Sequence, residues 1–139
     1  MSKHPSDSEL IAAAREAAGR AYAPYSKFRV GAAVKMAEDE TVFSGCNIEN
    51  ASYGGTVCAE RTAIFAAVAT GLRKIETLAL TVLDAPEDAE LKDRSPCGIC
   101  RQVIREFADD DLTRILIDRG NDSWDLLTIE ELLPHGFRL

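Results

Sequence analysis

The chain has 139 residues, a formal net charge of -7, 46% apolar and 28% charged residues, which suits one compact soluble domain rather than two. The acidic balance disfavours condensation onto a nucleic acid, and no apolar run approaches the roughly 18 residues that span a bilayer. The segment MSKHPSDSEL lacks the apolar core of a secretory signal, so the expectation is a cytoplasmic protein with a small-molecule ligand and neither a nucleic-acid nor a membrane partner.

A first helix is predicted from about Ser6 to Tyr22. Ser6 and Glu9 have capping-box spacing, Leu10, Ala14, Ala17 and Ala21 share a face, and Pro24 ends the run. Phe28 to Met36 reads as a strand, Ala37 to Glu40 as a turn, and Val42 to Cys46 as the second arm of a hairpin. A loop with Gly54 and Gly55 leads to an alanine-rich helix from Cys58 to Thr70, closed by Gly71, whose scarcity of polar residues predicts burial. Ile75 to Leu83 is an apolar run of strand length, expected to be covered on both faces. Asp84 to Arg94 reads as an exposed acidic loop, Gly98 to Phe107 as a helix, and Thr113 to Asp118 and Ser123 to Leu127 as strands. Thr128 caps a short last helix to Leu133, with Glu131 three residues on. Five strands alternating with helices make an α/β protein, one domain over 1–139 with helices flanking a single sheet.

The chemistry concentrates in the cysteines. In a reducing compartment, Cys46, Cys58, Cys97 and Cys100 point to metal binding or catalysis rather than disulfides. Cys97 and Cys100 open a helix after Pro96 at spacing i, i+3, which puts their Cβ atoms about 5–6 Å apart. That separation lets two sulfurs meet one zinc at about 2.3 Å each. Cys58, at the start of the other helix, is the expected third ligand. Three protein ligands leave one tetrahedral position for water, the arrangement of a catalytic zinc. Cys46 reads as a small core residue; otherwise it or a histidine would be the fourth ligand, and His4 and His135 lie in a terminal tail and far along the chain.

Glu60 follows Cys58 by two residues, and in a regular helix their side chains would diverge by roughly 200°. They converge only if Cys58 sits at the non-helical entry to its helix. A carboxylate so placed can take a proton from metal-activated water and return it to a leaving amine. Cys58-Ala59-Glu60 with Pro96-Cys97-Gly98-Ile99-Cys100 matches the signature of zinc deaminases. A thioredoxin-like pair lacks its surrounding sequence here, and a structural zinc needs a fourth ligand and leaves Glu60 without a role.

Other residues read two ways. Phe28 could pack with Val30 and Ala32 on one strand face or line a site. Asn47 and Glu49 could be plain loop residues, Tyr53 a packing aromatic, and Arg61 a surface ion-pair residue. Gln102 is open between solvent and support of the site, and Arg101 to Arg105 reads as a solvated helical face.

Most of the chain resembles the cytidine deaminase family, in its short, three-cysteine, homotetrameric branch. The likeness is carried by Pro24-Tyr25-Ser26-Lys27-Phe28, Gly45-Cys46-Asn47-Ile48-Glu49-Asn50-Ala51, Cys58-Ala59-Glu60-Arg61-Thr62-Ala63 and Pro96-Cys97-Gly98-Ile99-Cys100-Arg101-Gln102. It implies a three-layer α/β/α fold around a mixed sheet, zinc as cofactor, and hydrolytic deamination of cytidine and deoxycytidine in pyrimidine salvage. By this resemblance Cys58, Cys97 and Cys100 bind the metal, and Glu60 moves protons. Phe28 stacks on the pyrimidine, Asn47 and Glu49 hold the ribose, Tyr53 belongs to the nucleoside-recognition segment, and the Ala59 amide faces the C2 carbonyl. Phe137 reaches a neighbouring subunit's site, and Arg61 hydrogen-bonds the sulfurs. Gly54-Gly55 departs from the bulkier sequence common after the matching tyrosine and adds backbone freedom beside the pocket. The competing readings are deamination of a modified aminopyrimidine such as blasticidin S, and a catalytically inert zinc scaffold.

Overall fold

The computed structural model describes residues 4–139. Helix α1 (Asp7–Ala18) starts at an N-cap Ser6 with the full capping box: Ser6 Oγ accepts from Glu9 N at 3.2 Å, and Glu9 returns the bond to Ser6 N. It ends at Ala18, four residues before the predicted Tyr22. From Gly19 onward the amides bond carbonyls three residues back, and Tyr22 is drawn into pairing with Asn47 and Glu49 instead.

Strands β1 (Val30–Met36) and β2 (Val42–Cys46) form the expected hairpin. β1 begins two residues after the predicted Phe28, because side chains of another segment claim the backbone before it. Then come α2 (Ala59–Ala69), β3 (Ile75–Val82), a one-turn α3 (Leu91–Arg94), α4 (Gly98–Phe107), β4 (Arg114–Gly120), β5 (Ser123–Leu127) and α5 (Ile129–Leu132). Thr128 and Glu131 form the second predicted capping box, at α5, and Glu90 with Asp93 forms a further one at α3.

The five strands make one sheet in the order β2-β1-β3-β4-β5. Only β3 and β4 run parallel, joined through α4, so the sheet is mixed. Alternation along the strands splits the core in two. Ala33, Ala79 and Leu116 face Leu10, Ile11 and Ala14 of α1. Ala32, Val34, Leu78, Leu80, Ile115 and Ile117 face α2, α4 and α5. This is the expected three-layer α/β/α arrangement, with β3 buried on both faces.

Two glycines set the helix-to-sheet spacing. A Cβ on Gly31 would sit 2.0 Å from Ala14 O, and one on Gly45 would sit 2.5 Å from Ala63 N. α1 therefore rests directly on the backbone of β1, and α2 on that of β2.

Three sequence expectations are corrected. The 84–94 segment is not merely an exposed loop. Arg94 is buried, and its guanidinium donates to the carbonyls of Pro86, Glu87, Ala89 and Asp118, stapling the segment against β4. α2 is not covered all round: Phe65, Ala66 and Ala69 are exposed on its outer side. The 101–105 face is not solvated either. Arg105 is buried and donates to Asp110 Oδ1 at 2.6 Å, while Arg101 donates to Pro96 O and Leu132 O. The carboxyl-terminal residues fold back beside α4, tied by Gln102 Nε2 to Phe137 O at 3.0 Å and by Arg138 to Asp110 at 2.9 Å.

Candidate active site

Two helix starts meet at the carboxyl end of β3. Ile48 and Val57 exchange both backbone hydrogen bonds, at 2.9 and 3.0 Å, and pinch the 49–56 loop at its neck. Cys58 follows that neck as the N-cap of α2, in extended conformation at φ -72° and ψ 158°. This is the non-helical entry that convergence with Glu60 requires. Cys97 is the N-cap of α4 at φ -68° and ψ 170°, and Cys100 lies one turn into that helix, fully buried.

The three sulfurs lie within 4.8 Å of one another, with Cys58 and Cys97 at 3.7 Å. Two Zn–S bonds of about 2.3 Å meeting at a tetrahedral angle place their sulfurs about 3.8 Å apart, so this soft-donor set fits zinc. The N-terminal amides of two helices face the same point and favour thiolates over thiols. Cys46, in β2 opposite Gly31, is outside the cluster.

Protonation follows the crowding. Sharing a proton with Cys100 pulls the Cys58 thiol down to about 5, helped by the Arg61 guanidinium. Cys100, as the donor in that pair and buried, is held strongly upward. Arg61 Nη2 lies 3.6 Å from Cys58 Sγ and also donates to Thr56 O at 3.2 Å, while its buried Nε has no partner among the described residues. Glu60 is 3% exposed, and burial pushes its carboxyl up to about 7. Such a group exchanges protons near neutrality, as a general acid–base must.

A cavity of about 240 Å³ opens onto these groups, with Phe28, Asn47, Glu49, Glu60, Asp93 and Cys97 in its wall. Its lining carries three carboxylates and, among the described residues, no lysine or arginine. Phe28 is 40% exposed and precedes β1, so it is a wall residue and not core. Asn47 clamps the backbone around it: Nδ2 donates to Phe28 O at 2.8 Å, and Oδ1 accepts from Val30 N at 2.9 Å. Glu49 accepts from the amides of Tyr25 and Ser26 at 3.0 and 3.1 Å and from the Ser26 hydroxyl. The serine hydrogen bond above all holds its carboxyl below the ordinary value.

Not every predicted site residue enters this cavity. Tyr53 lines the adjoining one with Tyr25 and Thr56, its ring edge-on to Tyr25 at 5.4 Å. Phe137 is 67% exposed on the returning tail and touches no part of the catalytic cavity within this chain. Ala59 is buried as the first residue of α2. Sequence reasoning gave no role to Ser26, Asp93 or Ser95, all in the wall. Ser26 stood inside a quoted motif, but its hydroxyl acquires meaning only through a residue far along the chain.

Residues 4–115 match the family model for the cytidine and deoxycytidylate deaminase zinc-binding region. A curated cytidine deaminase from Sporosarcina psychrophila is 46% identical over 129 residues, covering 93% of this chain and 89% of its own. The 1.6 Å crystal structure of cytidine deaminase from Burkholderia pseudomallei superposes with a TM-score of 0.82 at 38% identity, over 96% of this chain and all of that one. A blasticidin-S deaminase from Bacillus cereus is 35% identical over 130 residues, covering 92% of this chain and 89% of its own. The fold, the three converging sulfurs and these likenesses agree: the chain belongs to the cytidine and deoxycytidylate deaminase family of zinc-binding hydrolytic enzymes.

Proposed function

We propose that this protein deaminates cytidine and deoxycytidine to uridine and deoxyuridine with release of ammonia, as a step of pyrimidine salvage. The observation that carries this reading is the buried Glu60 carboxylate beside three sulfurs spaced for one zinc, at the floor of a cavity lined by Phe28.

Zinc held by Cys58, Cys97 and Cys100 supplies Lewis acidity that makes water nucleophilic at neutral pH. Glu60 accepts the proton of the attacking water and hands it to N3 as the C4–O bond forms. It then takes the remaining proton from the new C4 hydroxyl and delivers it to the amino nitrogen as the C4=O bond forms and the C4–N bond breaks, so water enters and ammonia leaves. The Ala59 amide, free of an intrahelical partner at the first turn of α2, holds the C2 carbonyl. Phe28 stacks on the ring. Arg61 offsets the negative charge of the thiolates.

Asn47 and Glu49 bind the ribose with what their internal bonds leave over. An amide nitrogen has two protons, and Asn47 spends one on Phe28. A carboxylate has about four acceptor sites, of which Glu49 uses three. The cation-free, acidic lining supports a nucleoside over a nucleotide. Residues 1–139 form one catalytic domain in this reading.

Exposed Tyr22, Tyr53, Phe65 and Phe137 support association into a homotetramer, in which Tyr53 and Phe137 complete neighbouring sites. No helix among the described residues is long and apolar enough to cross a membrane. Four unpaired cysteines suit the reducing cytoplasm, where we place the protein.

The test is ultraviolet monitoring of cytidine, deoxycytidine and blasticidin S with wild type and Glu60→Gln, with zinc measured in both. The reading requires turnover of both nucleosides, a fall of at least ~100-fold in the variant, and retained zinc. Preference for blasticidin S would shift the substrate assignment, and bound zinc without turnover would leave an inert scaffold.

A further inference from the structure

The turn from Pro24 to Phe28 lends Ser26 and Phe28 to the wall of the cavity that also holds Cys58 and Cys97, and its conformation is not one the local sequence prefers. Lys27 has φ +60°, the left-handed region that costs an L-residue free energy. Such a residue persists where its surroundings over-determine it, and such places cluster at functional sites. Here the surroundings can be named. Lys27 N donates to Ala23 O at 3.0 Å. Its two neighbours meet through one hydroxyl: Ser26 Oγ donates to Glu49 Oε2 and accepts from Phe28 N at 3.1 Å. A hydroxyl has one proton and two lone pairs, so the proton and one lone pair are both committed. Ser26 lies in the wall of both the catalytic cavity and the one bearing Tyr53.

We infer that Ser26 is a positioning residue for deamination: its hydroxyl couples the Glu49 carboxylate to the Phe28 backbone, fixing ribose-facing and base-facing groups in one rigid turn. This rests on the roles proposed above for Phe28 and Glu49. Without the hydroxyl, the Phe28 amide loses its acceptor, Glu49 loses the one side-chain donor it has among the described residues, and Lys27 is free to leave its strained backbone. Substrate binding weakens, whereas proton transfer by Glu60 on α2 keeps its geometry. The division between KM and kcat is thus the signature of the role.

The experiment compares zinc-loaded wild type, Ser26→Ala and Ser26→Thr with cytidine, alongside thermal midpoints and zinc content. Ser26→Ala is expected to raise KM by ~10-fold, the effect of one hydrogen bond to a charged group, with kcat within ~3-fold. Ser26→Thr keeps the hydroxyl and recovers most of the loss. A second pair separates backbone conformation from the lysine charge: Lys27→Asn tolerates the left-handed region and keeps KM, whereas β-branched Lys27→Ile raises it. An unchanged KM in Ser26→Ala, a loss confined to kcat, no recovery in Ser26→Thr, or equal effects of the Lys27 variants would each overturn the assignment. Absence of cytidine turnover by wild type counts against the proposed function instead. In that case loss of protection of the Phe28 amide from hydrogen exchange in Ser26→Ala still reports the coupling, and unchanged protection refutes it.

Discussion

Arg61 Nη2 points at Cys58 Sγ from 3.6 Å, one turn further along the same helix. Three thiolates around a divalent ion would carry a net charge of -1, and we propose this guanidinium as the cation that would offset it, with its Nε still unpaired among the described residues. Arg61→Gln is expected to weaken zinc retention by roughly 10-fold, the lower range for a group that supports metal ligands. Competition with a chelating dye reads the affinity directly, and equal affinities in both proteins would remove Arg61 from the metal site.

The cavity's charge makes a prediction about substrates. With Glu49, Glu60 and Asp93 in the lining, a 5′-phosphate meets carboxylates, and among the described residues no lysine or arginine lines the cavity. The kcat/KM for cytidine is expected to exceed that for CMP by at least ~100-fold, and salt should narrow the gap as screening shortens to about 10 Å at 0.1 M. Comparable values at low salt would contradict this picture of the lining.

Gly45 lets α2 approach the sheet. A methyl there meets Thr62 Oγ1 at 2.4 Å and Ala63 N at 2.5 Å, and a backbone atom cannot rotate away. Gly45→Ala should destabilise the fold by about 1–3 kcal/mol and loosen zinc, because the displaced helix carries Cys58 and Glu60. Gly54→Ala meets nothing within 4 Å and serves as the control. Thermal midpoints and metal content of the two variants check the contrast.

The Arg29–Asp84 pair gives the acid limb of stability a specific signature. Arg29 donates to Asp84 from Nε at 3.0 Å, from Nη2 at 2.7 Å and from its amide at 2.8 Å, holding the Asp84 carboxyl down to about 2 against an ordinary 3.8. A carboxyl depressed in the folded state adds stability that is present above its unfolded value and lost as pH falls through the folded one. Urea midpoints of wild type and Asp84→Asn should therefore differ above pH 4 and converge towards pH 2. The gap should be modest, since Arg29 is nearly half exposed and solvent screens the pair. A gap that persists at pH 2 would mean the variant acts through something other than charge.

Much of this molecule was legible where the determinants are local. Both predicted capping boxes fell at Ser6/Glu9 and Thr128/Glu131 as spaced, because a cap depends on four consecutive residues. The demand that Cys58 stand outside its helix followed from the helical turn alone and is met by its extended backbone. The metal triad came from spacing plus resemblance. What was missed depends on residues far apart in sequence. Glu49 and Asn47 take hold of the 25–30 backbone from some twenty positions away, on either side of Lys27 with its φ of +60°, and β1 starts only beyond them. Arg105 read as solvated because nothing in α4 reveals that Gly136 and Arg138 return across it. Arg94 likewise found its carbonyl partners only when the 84–94 segment folded around it.

Resting helices on bare strand backbone at Gly31 and Gly45 separates two kinds of inheritance. The height of α2 above the sheet is fixed by main-chain atoms common to every sequence, not by the bulk of interchangeable aliphatic side chains. Hydrophobic residues elsewhere in the interior can then drift and trade volumes while the sulfurs and the carboxylate stay in register.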